Sequence, residues 1–207
     1  MRGRIDLRAE LAIGRHAMHP GRVPAIAELV AEQPRRAERL IELLWDDDPG
    51  VASRSADVLE RISRHPSRGL RRVLSEYKEA LLGLLPDARF AKLRWNLAFV
   101  IPRLALTLAE ARRAAGTLYT FLEDRSSIVK TAALHGLADL TRHDPESLPA
   151  VLDLLRIHGR SGTPAMRARS RHLILRLDPA ARPTRRRRAA AGESSPATIE
   201  ADQFTVR

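Results

Sequence analysis

The sequence predicts an all-α protein: a right-handed α-solenoid of about five stacked antiparallel helix pairs, followed by a disordered basic C-terminal tail. Three observations lead there. One phrase recurs, in which an apolar helix ends in a turn of acidic residues, Pro or Gly, and an aliphatic residue opens a second helix. The openers are Val51, Leu93, Val129 and Met166, between 36 and 42 residues apart. A near-constant period of this size marks stacked helix pairs, none of which buries its apolar face alone. Apolar residues also keep helical spacing, as in Ala37, Leu40, Ile41 and Leu44, and again in Leu148, Val151, Leu152 and Leu155. Finally, aromatics are only 4% of the chain, and the β-branched, aromatic runs of a sheet protein are missing.

Taken in order, residues 1–178 form one repeat domain. Residues 1–34 are an irregular N-terminal cap pair, with helices expected over 5–17 and 22–33. Four better units follow over about 35–64, 67–103, 107–142 and 147–177. Their helices are expected at 35–46 with 50–64, 70–85 with 88–103, 107–123 with 126–142, and 147–159 with 163–177. Punctuation sets these borders. Asp48-Pro49, Asp144-Pro145 and Thr163-Pro164 each offer a side-chain acceptor before a proline whose φ is already helical. Thr107 and Glu110 fit a capping box. Pro102 should end or kink its helix, and Gly159 and Gly162 bracket the last turn between helices. Residues 179–207 have no packing period and carry the run Arg185, Arg186, Arg187 and Arg188. That composition predicts a disordered tail with weak electrostatic affinity.

The 207 residues carry a formal charge of +11 and no cysteine. Disulfides and thiolate metal sites are thereby excluded, and a reducing, cytoplasmic setting is expected. No run reaches the ~18 apolar residues of a membrane span. The positive field favours acidic partners.

The units 46-DDDPGVASRSADVLERI-62, 126-SSIVKTAALHGLADL-140 and 164-PAMRARSRHLILRL-177 resemble the HEAT repeat superfamily, and 88-ARFAKLRWNLAFVI-101 is a looser copy. The shared pattern is an acidic turn, an aliphatic-basic opener, a small residue and then Leu. The resemblance covers roughly 35–177 and implies an armadillo-type solenoid. HEAT arrays serve as scaffolds, transport receptors and regulatory subunits, so the resemblance does not choose a function. One enzymatic relative, the alkylation-repeat DNA glycosylase, uses an acid beside aromatics in a basic groove. Trp45, Trp95 and several acids are present here, but no motif matches residue by residue.

Candidate binding residues come from registers counted from each opener. One residue on lie Ala52, Arg94, Lys130 and Arg167; the preferred reading pairs these cations with acidic turns such as Asp46 to Asp48 or Asp124. Ten residues on lie Arg61, Arg103, Asp139 and Arg176, and three on lie Arg54 and Arg169. Equivalent positions on successive second helices line one wall, where arginines would grip phosphate or carboxylate bidentately or pair internally. Trp95 either packs against the preceding helix or anchors a partner.

His16 and His19 are spaced like metal ligands, but no second pair completes a site, and no metal or cofactor is expected. The sequence has no G-x-x-x-x-G-K-[ST], G-x-G-x-x-G or G-x-S-x-G. The expected function is therefore a non-enzymatic scaffold whose inner helical wall (Arg54, Arg61, Trp95, Arg103, Arg169, Arg176) binds an acidic protein. The alternative is a nucleic-acid binder of the glycosylase type. Oligomeric state is left open.

Overall fold

The computed structural model describes residues 5–14, 16, 19–65 and 67–181. They form eleven α-helices with no strand among them. In chain order these are α1 Leu7–Ala12, α2 Val23–Glu32, α3 Arg36–Glu42, α4 Pro49–Ser63, α5 Arg68–Glu76, α6 Lys78–Asp87, α7 Ala91–Val100, α8 Leu108–Thr120, α9 Ser127–Leu140, α10 Leu148–Ser161 and α11 Pro164–Leu177. Short 3₁₀ turns at Leu43–Trp45, Ile101–Arg103 and Phe121–Glu123 extend α3, α7 and α8.

Helices neighbouring in sequence pack together, as α3 with α4, α8 with α9 and α10 with α11. A second set of contacts runs along the molecule: α2 meets α4, α4 meets α7, α7 meets α9, and α9 meets α11. One apolar core runs from Leu7 to Leu173, built mainly of Leu, Val, Ile and Ala. Gly136 of α9 lets α7 and α9 approach closely. A Cβ there would lie 2.6 Å from the Ala98 carbonyl oxygen of α7 and 2.7 Å from Leu118.

Local chemistry explains most helix borders. Asp48 accepts from the Gly50 and Val51 amides, and Thr163 accepts from Met166. Thr107 and Glu110 close the capping box. The same acidic turn is built twice: Asp46 accepts from the Asp48 amide at 3.0 Å, and Asp124 from the Ser126 amide at 2.7 Å. In both cases the residue whose amide donates to the acid, two positions on, then caps the following helix.

Four borders differ from expectation, each for a physical reason. α1 stops at Ala12 because the guanidinium of Arg54 takes the Leu11 and Ala12 carbonyls that would have continued the helix. The helix expected over 70–85 is two, α5 and α6, parted at Tyr77 (φ −97°, ψ 10°). The bend lets Leu70, Val73 and Leu74 on one side, and Leu81, Leu82, Leu84 and Leu85 on the other, all reach the core. Asp144 does not cap the helix after it, because its carboxylate is held by Arg112 at 2.8 Å. Gly159 lies inside α10, where a Cβ would meet only Ser170 of α11 at an ordinary 3.6 Å, so its backbone continues the helix.

Candidate functional site

The second helices α4, α7, α9 and α11 meet through polar side chains as well as through the core. From α4, Asp57 accepts from Lys92 at 2.6 Å and Asn96 at 2.8 Å, both on α7. Glu60 is bound by Arg103, at 2.9 Å, and by Arg64 of its own chain end, at 2.6 Å. Phe99 of α7 meets the His135 ring of α9 edge to face, with centroids 5.0 Å apart. On α11, Arg176 donates to Asp139 at 2.6 Å, and Arg169 lies 3.3 Å from His135 Nδ1. Burial would raise the Asp139 carboxyl, but His135 and Arg176 outweigh it and hold it below the ordinary carboxylate value.

These contacts place the sequence candidates. Arg103 donates to Ser63 at the end of α4, Arg169 lies against His135 of α9, and Arg176 pairs with Asp139 of α9. Arg94 pairs with Asp124 of the next acidic turn at 2.7 Å, the internal role expected of its register. Trp95 is half-buried and packs against the core. Arg61 is exposed and has no ion pair among the described residues. The Arg185 to Arg188 run lies outside the described residues.

Arg54 requires a correction. It is only 2% exposed, and its three guanidinium nitrogens donate to the carbonyls of Leu11, Ala12 and His16. Glycines make room for it: a side chain at Gly14 or Gly50 would collide with the guanidinium. Gly21 beside them has φ +55°, a conformation natural to glycine. A side chain enclosed by backbone in this way is not offered to a partner. It ties α1 to α4.

A different feature emerges at the C-terminal ends of α4, α7 and α9. There a cleft of about 520 Å³ is lined by Arg64 and His65 after α4, Arg71 of α5, Arg103 after α7, and Arg142 and His143 after α9. Leu74 and Leu104 supply apolar surface. No carboxylate lines it among the described residues. Glu60, just behind, is shared by Arg64 and Arg103. Arg142 and His143 both face the Pro102 carbonyl, which Arg142 takes as an acceptor. Arg71 is exposed, and its guanidinium has no partner among the described residues.

Comparison with protein-family models, with curated proteins and with solved structures finds no match to this chain. What the cleft can do therefore rests on its own chemistry. It presents hydrogen-bond donors with fixed positive charge, a set suited to holding oxyanions. Among the described residues no group of three or more His, Asp or Glu is arranged to hold a metal ion. The described helices include none long and apolar enough to cross a membrane.

Register counting reached this cleft only at Arg103, because it stopped short of the residues that follow the helix ends. The usable signal was at the ends. Two of the chain's four Arg-His dipeptides, Arg64-His65 and Arg142-His143, stand at the same distance from their openers Val51 and Val129. Both fall in the cleft. Arg71 carried no such mark, because it comes from the first helix of the neighbouring unit.

Proposed function

We propose that this chain is a binding protein of HEAT-like, α-solenoid architecture that recognises an acidic protein partner and does no chemistry on it. The row of contacts from α2 through α4, α7 and α9 to α11 supports the solenoid reading, since each second helix leans on the next. The observation that carries the functional reading is the uneven pairing of arginines. Along the wall the cations Lys92, Arg103 and Arg176 are matched by Asp57, Glu60 and Asp139. At the C-terminal edge four arginines line a cleft, and among the described residues Glu60 is the one carboxylate that pairs with any of them. The recognition surface is therefore the edge cleft, with the exposed Arg61 beyond it, rather than the wall. Long-range attraction from the +11 charge would gather an acidic partner, and the cleft would fix it.

The paired wall weighs against the nucleic-acid reading. A duplex neutralises a continuous row of free cations, and Arg103 and Arg176 are already engaged.

The test is affinity capture from the native cell with the full chain and its Arg71→Glu variant, in nuclease-treated extract. The expected outcome is a set of acidic proteins retained by the native chain and released by the variant or by salt. Capture that the variant leaves unchanged would remove the cleft from the account. Capture abolished by nuclease would replace the protein partner with nucleic acid.

A further inference from the structure

The cleft holds more positive charge than one carboxylate can answer. Helix C-termini attract cations, because their last carbonyls are unsatisfied, and this accounts for part of the gathering. Arg103 donates to the Glu60 carbonyl and Arg142 to the Pro102 carbonyl. Arg64 and Arg103 then share the single Glu60 carboxylate. Arg71 is the residue this explanation does not reach. It sits mid-helix on α5 (Arg68–Glu76), away from any C-terminus, with no acid beside it, and it faces the same space.

We propose that this cleft receives a phosphorylated serine or threonine side chain carried on an acidic segment of the partner protein. The inference rests on the acidic-partner reading above and names the group that the cleft would select. A phosphomonoester carries roughly −1.5 to −2 charge and three strong acceptor oxygens. It thus matches several converging arginine forks, where a carboxylate offers two oxygens and one charge. Arg71 and Arg64 approach from α5 and from the end of α4, while Arg142 approaches from the end of α9. They reach the cleft from three separate segments of the chain rather than from one helix. The cleft's volume, about 520 Å³, exceeds what a bare phosphate fills, and Leu74, Leu104 and Ala105 give flanking aliphatic side chains a surface.

The experiment titrates the full chain with a short acidic, leucine-flanked peptide carrying a central phosphoserine, and with its serine and glutamate counterparts. Inorganic phosphate and a single-stranded oligonucleotide serve as competitors. The phosphoserine form should bind at least about tenfold more tightly than the other two. Arg71→Ala should remove that advantage without moving the unfolding midpoint. Arg71→Lys, which keeps the charge and loses the fork, should remove part of it. Equal binding of the serine peptide would overturn the phosphate site while leaving an acidic partner intact. Inorganic phosphate binding as tightly as the peptide would overturn the protein source of the phosphate. The oligonucleotide displacing the peptide at lower concentration would overturn both readings. An unchanged preference in Arg71→Ala would place the phosphate elsewhere.

Discussion

A lone arginine at one corner of this molecule and a cluster of four at one edge have opposite fates. At the corner between α1 and α4, Arg54 is enclosed by Gly14, Gly21 and Gly50 and bound to three backbone carbonyls. At the edge formed by the ends of α4, α7 and α9, Arg64, Arg71, Arg103 and Arg142 surround open space. Both are arginine beside helix ends. They differ in how many acceptors surround each guanidinium. At the corner every nitrogen has a carbonyl, so the side chain holds the fold. At the edge Arg64, Arg103 and Arg142 also have acceptors, but Glu60 is the one carboxylate among them and Arg71 has no partner among the described residues, so positive charge remains for a ligand. The residue type therefore does not assign the role; the local supply of oxygen atoms does.

The comparison breaks first at the corner. Replacing Arg54 with Met leaves three carbonyls around an apolar side chain, that of Leu11 buried and those of Ala12 and His16 part-buried. The expected loss is about 3 kcal/mol, since an orphaned buried acceptor costs roughly 1–3 kcal/mol and the part-buried ones add less. Urea unfolding of the native and Arg54→Met chains measures it. A loss as small as that of a surface substitution would mean that α1 is held by its apolar residues Leu7 and Leu11 alone. Anion affinity at the distant edge should be unchanged in the folded variant.

Glu60→Gln sharpens the contrast from the other side. Glu60 is buried and balances two edge arginines. The amide keeps a hydrogen-bond acceptor but removes the negative charge. Stability should fall by about 1 kcal/mol, and affinity for the phosphoserine peptide should rise about fivefold as an opposing charge disappears. A fall in affinity would show that Glu60 positions the arginines more than it neutralises them.

Acid separates the two regions by a different property, because carbonyls do not titrate and carboxylates do. Lys78 holds the Glu110 carboxyl down to about 2, while Arg112 lowers Asp144 and Arg8 lowers Asp46. A carboxyl depressed in the folded state contributes stability that is present above its unfolded value. That contribution is lost as pH falls through the folded one. For Glu110 the window therefore runs from its ordinary 4.5 down to about 2. Unfolding midpoints should fall across that window, and Glu110→Gln should flatten part of the fall. The decrement caused by Arg54→Met should stay constant through it.

Legibility in the sequence follows the same division between local and distant partners. Asp48, Thr107 and Thr163 act on amides two or three residues away, and their helix starts could be read directly. The early end of α1 could not, because the group that ends it is Arg54, 43 residues from Leu11. The break at Tyr77 carries no Gly or Pro to announce it. At the site, the in-phase dipeptides Arg64-His65 and Arg142-His143 were readable as a repeat. Arg103 was found through its register, but its pairing with Glu60 was not visible, since the two are 43 positions apart and meet only when α4 and α7 pack.

The smallest expected effect is also the most direct test of register against cleft. Arg61 shares its repeat position with Arg103 and Arg176, lies exposed on α4, and does not line the cleft. Arg61→Ala removes no partnered group, so stability should stay within ~0.5 kcal/mol of native. If the edge cleft is the recognition surface, affinity for an acidic peptide should fall only by the weak, salt-screened share of one exposed charge outside the cleft. Arg71→Ala at the same net charge should cost far more. Equal losses in the two variants would mean that the protein reads charge density rather than a place, and the corner-and-edge distinction would then describe folding alone.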